Sequence, residues 1–212
     1  MGKEDEMGDL TGATYLWLKE RISTLPRDEG TFLTEAEVAR LTGASRTPVR
    51  ESLMRLESEG LVERIPKRGA FVPPLSDSEI RQVMRAREMI ELWSVDQFLS
   101  AGRTEALDEL DGILAEQEAA TEDHKRFIDL DSDFHHAIVA ASGNQVVAHF
   151  HGELRDRQVR MGLHAVKVSE YRTGMVLAEH RRIVDGLRRS DANHARTATS
   201  DHLARTLHVM LS

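Results

Sequence analysis

The sequence has no cysteine, so disulfide bonds, thiolate metal sites and a cysteine nucleophile are excluded. Its 212 residues include 5 prolines and 14 glycines, too few for a collagenous or disordered chain. Aromatic residues make up only 5%, and the abundance of Leu, Ala, Glu and Arg favours helices over strands. No apolar run approaches the roughly 20 residues of a membrane-spanning helix, and the acidic first residues do not match a signal peptide. We therefore expect a cytoplasmic, mostly helical protein.

Charge is distributed unevenly along the chain, whose formal net charge is −8. Residues 40–72 contain seven basic and four acidic side chains, whereas the chain from residue 76 onward contains 17 basic and 23 acidic ones. Because physiological salt screens charges over roughly 8 Å, a locally basic element can bind an anionic partner despite the acidic total. The distribution indicates two modules with different partners.

The consecutive prolines Pro73 and Pro74 mark the boundary between these modules, because they can continue neither a helix nor a strand. A capping box of Ser76 and Glu79 then opens a new helix. We predict a first domain over residues 1–72, a linker over 73–76 and a second domain over 77–212.

The first domain has the spacing of a helix-turn-helix. Thr34 and Glu37 form a capping box that starts one helix, and Gly43 suits its left-handed end. Ser45 is a good N-cap for the next helix, predicted over residues 45–59. Two capped helices joined by a tight glycine turn are typical of a helix-turn-helix.

A basic hairpin follows these helices. Residues 61–64 and 70–72 predict two short strands, and residues 65–69 form a basic tip of the kind called a wing. Arg46, Thr47 and Arg50 cluster near the N-terminal end of the preceding helix, where a recognition helix enters the major groove. There an arginine can pair bidentately with guanine. The alternative is a solvated helix with a few arginines, but the caps, the turn and the wing together favour DNA binding.

Residues 41–53 (LTGASRTPVRESL) and 55–62 (RLESEGLV) resemble the winged-helix domain of the GntR family of bacterial transcription regulators. The segment before them departs from the family, which usually carries Pro-Gly where residues 24–30 stand here. The resemblance implies contacts to operator DNA from a recognition-helix group and a wing group: Ser45, Arg46, Thr47 and Arg50, then Lys67, Arg68 and Gly69.

The second domain predicts an all-α bundle of about six helices, so the fold class is mainly α with an N-terminal winged helix-turn-helix. The predicted helices cover residues 77–99, 103–120, 122–141, 145–165, 169–189 and 191–211.

Four side chains of this bundle can converge on one ion. Asp131 and His135 lie four residues apart on the apolar face of one predicted helix, where an ionised aspartate is costly unless paired or metal-bound. If the last two helices turn near Asp191, then His180 and His202 each lie eleven residues from the turn and are level with each other. A single inward histidine is more often a hydrogen-bonded core residue. Three of them with an aspartate favour a metal site.

The same region resembles the effector domain of the FadR subfamily in its metal-binding form, and six helices resemble its shorter, VanR-like branch. The resemblance implies that Asp131, His135, His180 and His202 bind one divalent ion. Without cysteine ligands, Zn²⁺, Ni²⁺, Mn²⁺ and Fe²⁺ all remain possible. The motifs that carry the resemblance are Asp131-x-x-Phe134-His135, Ser142-Gly143-Asn144, Glu179-His180-Arg181 and Asp201-His202-Leu203.

Arg87 interrupts the apolar face of the first bundle helix. It can form an ion pair with Glu91 four residues later. Alternatively, it faces the metal cavity and binds an effector carboxylate bidentately, and the family pattern Arg87-x-x-Ile90-Glu91 places it near that cavity.

The leading hypothesis is a ligand-responsive repressor without catalytic residues. A single winged helix reads few base pairs, so a homodimer on a pseudo-palindromic operator is expected, with a small organic acid as effector. The rivals are a helical metalloenzyme, which lacks an HExxH motif and an obvious general base here, and a regulator whose metal is purely structural.

Overall fold

The computed structural model describes residues 3–103, 105–168 and 171–212. The chain divides into two compact units, with the division between Ser76 and Asp77. Both are mainly helical, which confirms the predicted fold class. Every helix in the described ranges is too short or too polar to cross a membrane.

The first unit is a winged helix. Its three strands form one antiparallel sheet in the order β1-β3-β2, and β1 is a strand that the sequence analysis did not predict. The elements are α1 (Lys3–Ser23), β1 (Thr31–Leu33), α2 (Glu35–Thr42), α3 (Arg46–Ser58), β2 (Glu63–Ile65) and β3 (Gly69–Val72).

The residues predicted to start and end α2 and α3 lie at the ends of these helices. The Thr34 hydroxyl accepts a hydrogen bond from the Glu37 amide at 3.2 Å, and Gly43 follows α2 in the left-handed conformation. Ser45 has the extended backbone of an N-cap, but its side chain makes no capping hydrogen bond. The core under α3 consists of apolar side chains from every element except β2, among them Leu18, Val38, Val49, Leu53, Leu56 and Val72.

The second unit has seven helices among the described residues, and no strand. The predicted helix over 145–165 is in fact two helices, which meet at Leu154 just after Gly152, a residue of low helix propensity. The count of six helices, on which the resemblance to the VanR-like branch was based, is therefore wrong for the described residues. The helices are α4 (Asp77–Ala101), α5 (Glu105–Ala119), α6 (His124–Ala141), α7 (Gln145–Glu153), α8 (Arg155–Val168), α9 (Arg172–Arg188) and α10 (Ala192–Met210).

Helices α9 and α10 form the expected hairpin. Asp191 is the N-cap of α10, and its carboxylate accepts a hydrogen bond from the His194 amide at 3.0 Å. The two helices approach closely at Gly186, where a Cβ atom would lie 2.7 Å from the backbone nitrogen of Ala195. This close packing brings side chains at equal distances from the turn into contact.

Candidate metal centre and nucleic-acid interface

Four side chains from α6, α9 and α10 meet inside the second unit, and we call them the four-ligand cluster: Asp131, His135, His180 and His202. One potential ligand atom from each lies within 4.8 Å of all the others. Bonds of about 2.0–2.2 Å place opposite ligands of one ion about 4 Å apart, so a small contraction would suffice. The three histidines are fully buried, whereas the aspartate is partly exposed. The cluster therefore has the donors and the spacing of a single metal site.

Two carboxylates orient two of the imidazoles. Glu91 Oε2 lies 2.7 Å from His135 Nδ1, and Glu179 Oε2 lies 2.8 Å from His202 Nδ1. The His202 contact is an aligned hydrogen bond, whereas His135 Nδ1 lies close to Glu91 without hydrogen-bond alignment. Because a carboxylate only accepts hydrogen bonds, both contacts favour the proton on Nδ1 and leave a lone pair on each Nε2. These two Nε2 atoms lie 3.1 Å apart. Two facing lone pairs repel each other unless a cation lies between them, so the arrangement fits a metal ion.

A buried amide orients the third imidazole. The Gln117 side chain donates from Nε2 to the Phe127 carbonyl at 3.3 Å, which leaves its Oε1 3.0 Å from His180 Nδ1. The Nδ1 proton of His180 is thereby assigned. His180 Nε2 is buried and makes no hydrogen bond within the described part of the chain, although Asp131 Oδ1 is 3.4 Å away. A lone pair without a hydrogen bond, next to a carboxylate oxygen, is free to coordinate a metal ion together with that oxygen.

The electrostatics favour neutral imidazoles at His180 and His202 and charged carboxylates at Glu91 and Glu179. Burial and the neighbouring His202 and His135 hold the pKa of His180 well below its usual range. Burial also lowers the pKa of His202, against the opposing effect of Glu179. Burial alone would raise the pKa of Glu91, but Arg87 and His135 outweigh it and hold that pKa well below normal. Neutral imidazoles are the form that binds metal.

Replacing Gln117 by leucine is expected to weaken ion binding by roughly 10–100-fold, because His180 would lose the partner that fixes its tautomer. Calorimetric titration of the stripped protein with Zn²⁺ measures this. Gln145→Leu, at an exposed position on α7, is the control and should bind as wild type does. Equal affinities for the two variants would contradict the assignment of Gln117.

Acidification is expected to destabilise the metal-free protein below about pH 6.5, the value of an unperturbed histidine. His180 and His202 have lowered pKa values in the folded state, so the unfolded state binds more protons and stability falls as the pH falls. The melting temperature from pH 8 to 5, measured with a chelator, should drop below that point. His180→Gln, neutral throughout, should flatten the dependence, whereas His149→Ala, whose side chain is 75% exposed, should not.

Arg87 forms the ion pair that the sequence allowed and has a donor to spare. Its Nε donates to Glu91 Oε1 at 2.8 Å, and its Nη1 lies 3.9 Å from the sulfur of Met84. Its Nη2 is buried without a hydrogen-bond partner among the described residues. Because Glu91 also contacts His135, Arg87 is one residue removed from the four-ligand cluster.

His151 is a buried residue to which the sequence analysis assigned no role. Its Nε2 lies 3.4 Å from Glu91 Oε1, its Nδ1 has no described partner, and its ring stacks on that of His136 with centroids 5.7 Å apart. The edge of the cluster next to Arg87 therefore holds a further buried ring nitrogen without a partner.

The first unit presents the predicted reading residues to solvent. Ser45, Arg46, Thr47 and Arg50 are all exposed at the start of α3, and Val49 on its opposite face is buried. Arg46 makes no hydrogen bond or ion pair with any described residue. Arg50 Nε, in contrast, lies 2.9 Å from Glu35 Oε2, and this contact raises the pKa of Arg50. The two arginines of the reading face thus differ in their freedom to bind a base.

The wing is the turn between β2 and β3. Lys67 and Arg68 are exposed at its tip, where the Arg68 amide donates to the Ile65 carbonyl at 3.0 Å. Gly69 is buried, with φ of 124°, and a Cβ atom there would lie 2.1 Å from the Leu33 carbonyl oxygen. The structure thus gives Gly69 a steric role in the sheet, and its predicted DNA contact stays a prediction.

The sequence analysis missed Gln117 and Glu179 as partners of the ligands. Gln117 could have been found from the sequence. It continues the helical spacing of Leu107, Leu110 and Leu114 on α5, and a polar residue on such a buried face needs a partner. Glu179 had no such signal beyond its place next to His180, and its contact to His202 depends on how α9 packs against α10.

Known proteins are similar to this chain over most of its length. The model of the bacterial regulatory proteins, gntR family, matches residues 10–72, and the FCD domain model matches residues 82–205. An HTH-type transcriptional regulator from Streptomyces ambofaciens is 36% identical over 193 residues, which cover 89% of this chain and 80% of that protein. The HTH-type transcriptional repressor RspR of Escherichia coli is 28% identical over 179 residues, covering 82% and 77%. The structure of E. coli McbR/YncC has a similar fold, with a TM-score of 0.79 and 23% identity over 95% of this chain and 97% of that one.

Proposed function

Because the chain belongs to the GntR family of transcriptional regulators and carries an FCD domain, a regulator family rather than an enzyme family, we propose that it is a metal-dependent, ligand-responsive repressor. It binds a pseudo-palindromic operator as a homodimer, and a small organic acid that enters the second unit alters its affinity for that operator.

The exposed start of α3 supports the DNA-binding half of this proposal. Arg46, Thr47 and Arg50 stand together at the helix end that enters a major groove, and the basic wing of Lys67 and Arg68 suits contacts to the flanking backbone. Relatives such as RspR are named as repressors, which is why we propose repression.

The observation that carries the effector half is the unpaired Nη2 of Arg87 beside the four-ligand cluster. A buried guanidinium donor without a partner is costly, and a carboxylate from a small ligand would satisfy it. Three histidines and one aspartate would hold one divalent ion, which supplies a second point of attachment for such an acid. Glu91 contacts both Arg87 and His135, so the two attachment points are neighbours.

The effector regulates DNA binding if it favours one of two arrangements of the protein. This coupling is reciprocal. If the acid changes the affinity of the protein for its operator by a given factor, the operator changes the affinity for the acid by the same factor.

The experiment that tests the proposal is selection of genomic fragments by the purified protein at near-physiological salt. Wild type is run beside the Arg46→Ala/Arg50→Ala double variant. Enrichment of one short palindrome by wild type alone supports the proposal. Equal enrichment by both proteins, or none by either in the presence and absence of the ion, would overturn it.

A further inference from the structure

A buried arginine lies behind one imidazole of the four-ligand cluster. Arg172, the first residue of α9, is 2% exposed. Its Nη1 lies 3.4 and 3.5 Å from the two carboxylate oxygens of Glu179. Glu179 Oε2 in turn lies 2.8 Å from His202 Nδ1. The order of contacts is therefore arginine, carboxylate, imidazole, and the imidazole is a ligand of the cluster.

The same order of contacts occurs on the other side of the cluster. Arg87 Nε donates to Glu91 Oε1 at 2.8 Å, and Glu91 Oε2 lies 2.7 Å from His135 Nδ1. The two series meet where the Nε2 atoms of His135 and His202 lie 3.1 Å apart. Each series thus places a buried positive charge against the carboxylate that contacts a ligand imidazole.

The two arginines differ in what their outer nitrogens contact. Arg87 Nη2 is buried without a partner in the described part of the chain, whereas Arg172 Nη2 donates to the Thr206 hydroxyl at 2.6 Å. Thr206 lies one turn after His202 on α10. Because the guanidinium is a planar and rigid fork, Arg172 fixes the Glu179 carboxylate relative to α10, the helix that carries His202.

We propose that Arg172 is a positioning residue for the metal centre, which holds Glu179 against His202 and so raises the affinity of the four-ligand cluster for a divalent ion. This inference rests on the metal dependence in the proposed function and assigns a role to a residue outside the ligands and their direct partners. The alternative is a purely structural link between α9 and α10. Loss of such a link would lower stability and leave ion affinity unchanged.

Arg172→Met removes the guanidinium and keeps an unbranched apolar side chain. It is expected to weaken Zn²⁺ binding by about tenfold, the lower end of the range for loss of a partner that orients a metal-binding histidine. Competition with a chromophoric chelator at 25 °C measures this. Arg172→Lys keeps the charge and should recover part of the loss. Arg181→Met, at a position where the arginine is 52% exposed and pairs with Glu118, is the matched control and should bind as wild type does.

The Glu179→Gln background separates positioning from packing. If Arg172 acts through Glu179, then Arg172→Met should weaken Zn²⁺ binding by less than about twofold in that background. The double variant contains neither buried charge, a replacement that proteins commonly tolerate, and circular dichroism of the metal-free protein confirms that it folds. A loss of the same size in both backgrounds would overturn the proposal, because Arg172 would then act through the packing of the helices.

Three further outcomes are decisive. A wild type that binds one equivalent of Zn²⁺ tightly, beside an Arg172→Met variant that binds it equally well, would refute the role of Arg172 and leave the metal-dependent regulator intact. A wild type that takes up no ion would refute both. If Arg172→Met does not fold, Arg172→Lys replaces it: the proposal requires weaker Zn²⁺ binding by this variant than by wild type, and equal binding would overturn it.

Discussion

His180→Ala is expected to abolish tight binding of a divalent ion, because it removes one of four ligands from a buried site. The loss should exceed the roughly 10–100-fold that removal of an outer partner costs. His180 is the imidazole whose Nε2 is buried without a hydrogen bond and faces Asp131 at 3.4 Å. Competition between the protein and a chromophoric chelator for Zn²⁺, repeated with Ni²⁺ and Mn²⁺, measures the change.

Two further variants keep this result interpretable. His180 stacks on Phe134 with ring centroids 4.1 Å apart, so alanine there also removes core packing. Asp131→Asn has nearly the same shape at a partly exposed position and should also lose the ion while it preserves the helical circular dichroism of wild type. The exposed His149→Ala is the control for a lost imidazole. A full equivalent of tightly bound ion in both His180→Ala and Asp131→Asn would refute the ligand set.

Removal of the metal from wild type separates a sensor from a structural staple. The Nδ1 atoms of His180 and His202 have hydrogen-bond partners within the protein that do not depend on an ion. The apolar core around Phe134, Ile138 and Ile183 is also independent of the ion. We therefore expect a chelated protein that stays folded at 25 °C with a lowered melting temperature. Complete unfolding on chelation would favour the staple.

The sequence predicted this centre because its geometry follows from local rules. Asp131 and His135 share a helix face by their spacing of four, and the turn at Asp191 makes His180 and His202 level without any knowledge of the rest of the fold. The structure brings the four together as expected. Their convergence needed only that α6 pack against the hairpin, which its apolar face favours.

The unpredicted features depend on contacts between distant segments. Strand β1 is three residues long, too short to show alternation, and it exists because it pairs with β3 about 40 residues later. The Gln117–His180 pair joins residues 63 positions apart. No proline near Leu154 indicated in the sequence that the helix ends there. Packing decides each of these, and packing cannot be read from a local pattern.

Arg46→Ala is expected to weaken binding to the selected operator by about 1–3 kcal/mol, the worth of one good base contact. Arg50→Ala should cost less, because Arg50 must first release Glu35, which its Nε contacts at 2.9 and 3.0 Å. Fluorescence anisotropy on a labelled operator, with a scrambled duplex for comparison, measures both. Equal losses on the operator and on the scrambled duplex would contradict base reading by Arg46.

The same contact predicts a gain from Glu35→Gln, which frees Arg50 for DNA. Removal of any carboxylate near DNA also relieves repulsion, so Glu37→Gln, at an exposed site of the same α2 turn, is the matched control. Glu35→Gln should raise operator affinity more than Glu37→Gln does, and the excess should vanish when Arg50→Ala is added. If Glu35→Gln still raises operator affinity more than Glu37→Gln does in the Arg50→Ala background, Glu35 acts through its charge alone. Arg50 would then stay paired with Glu35 and make no contact with the operator.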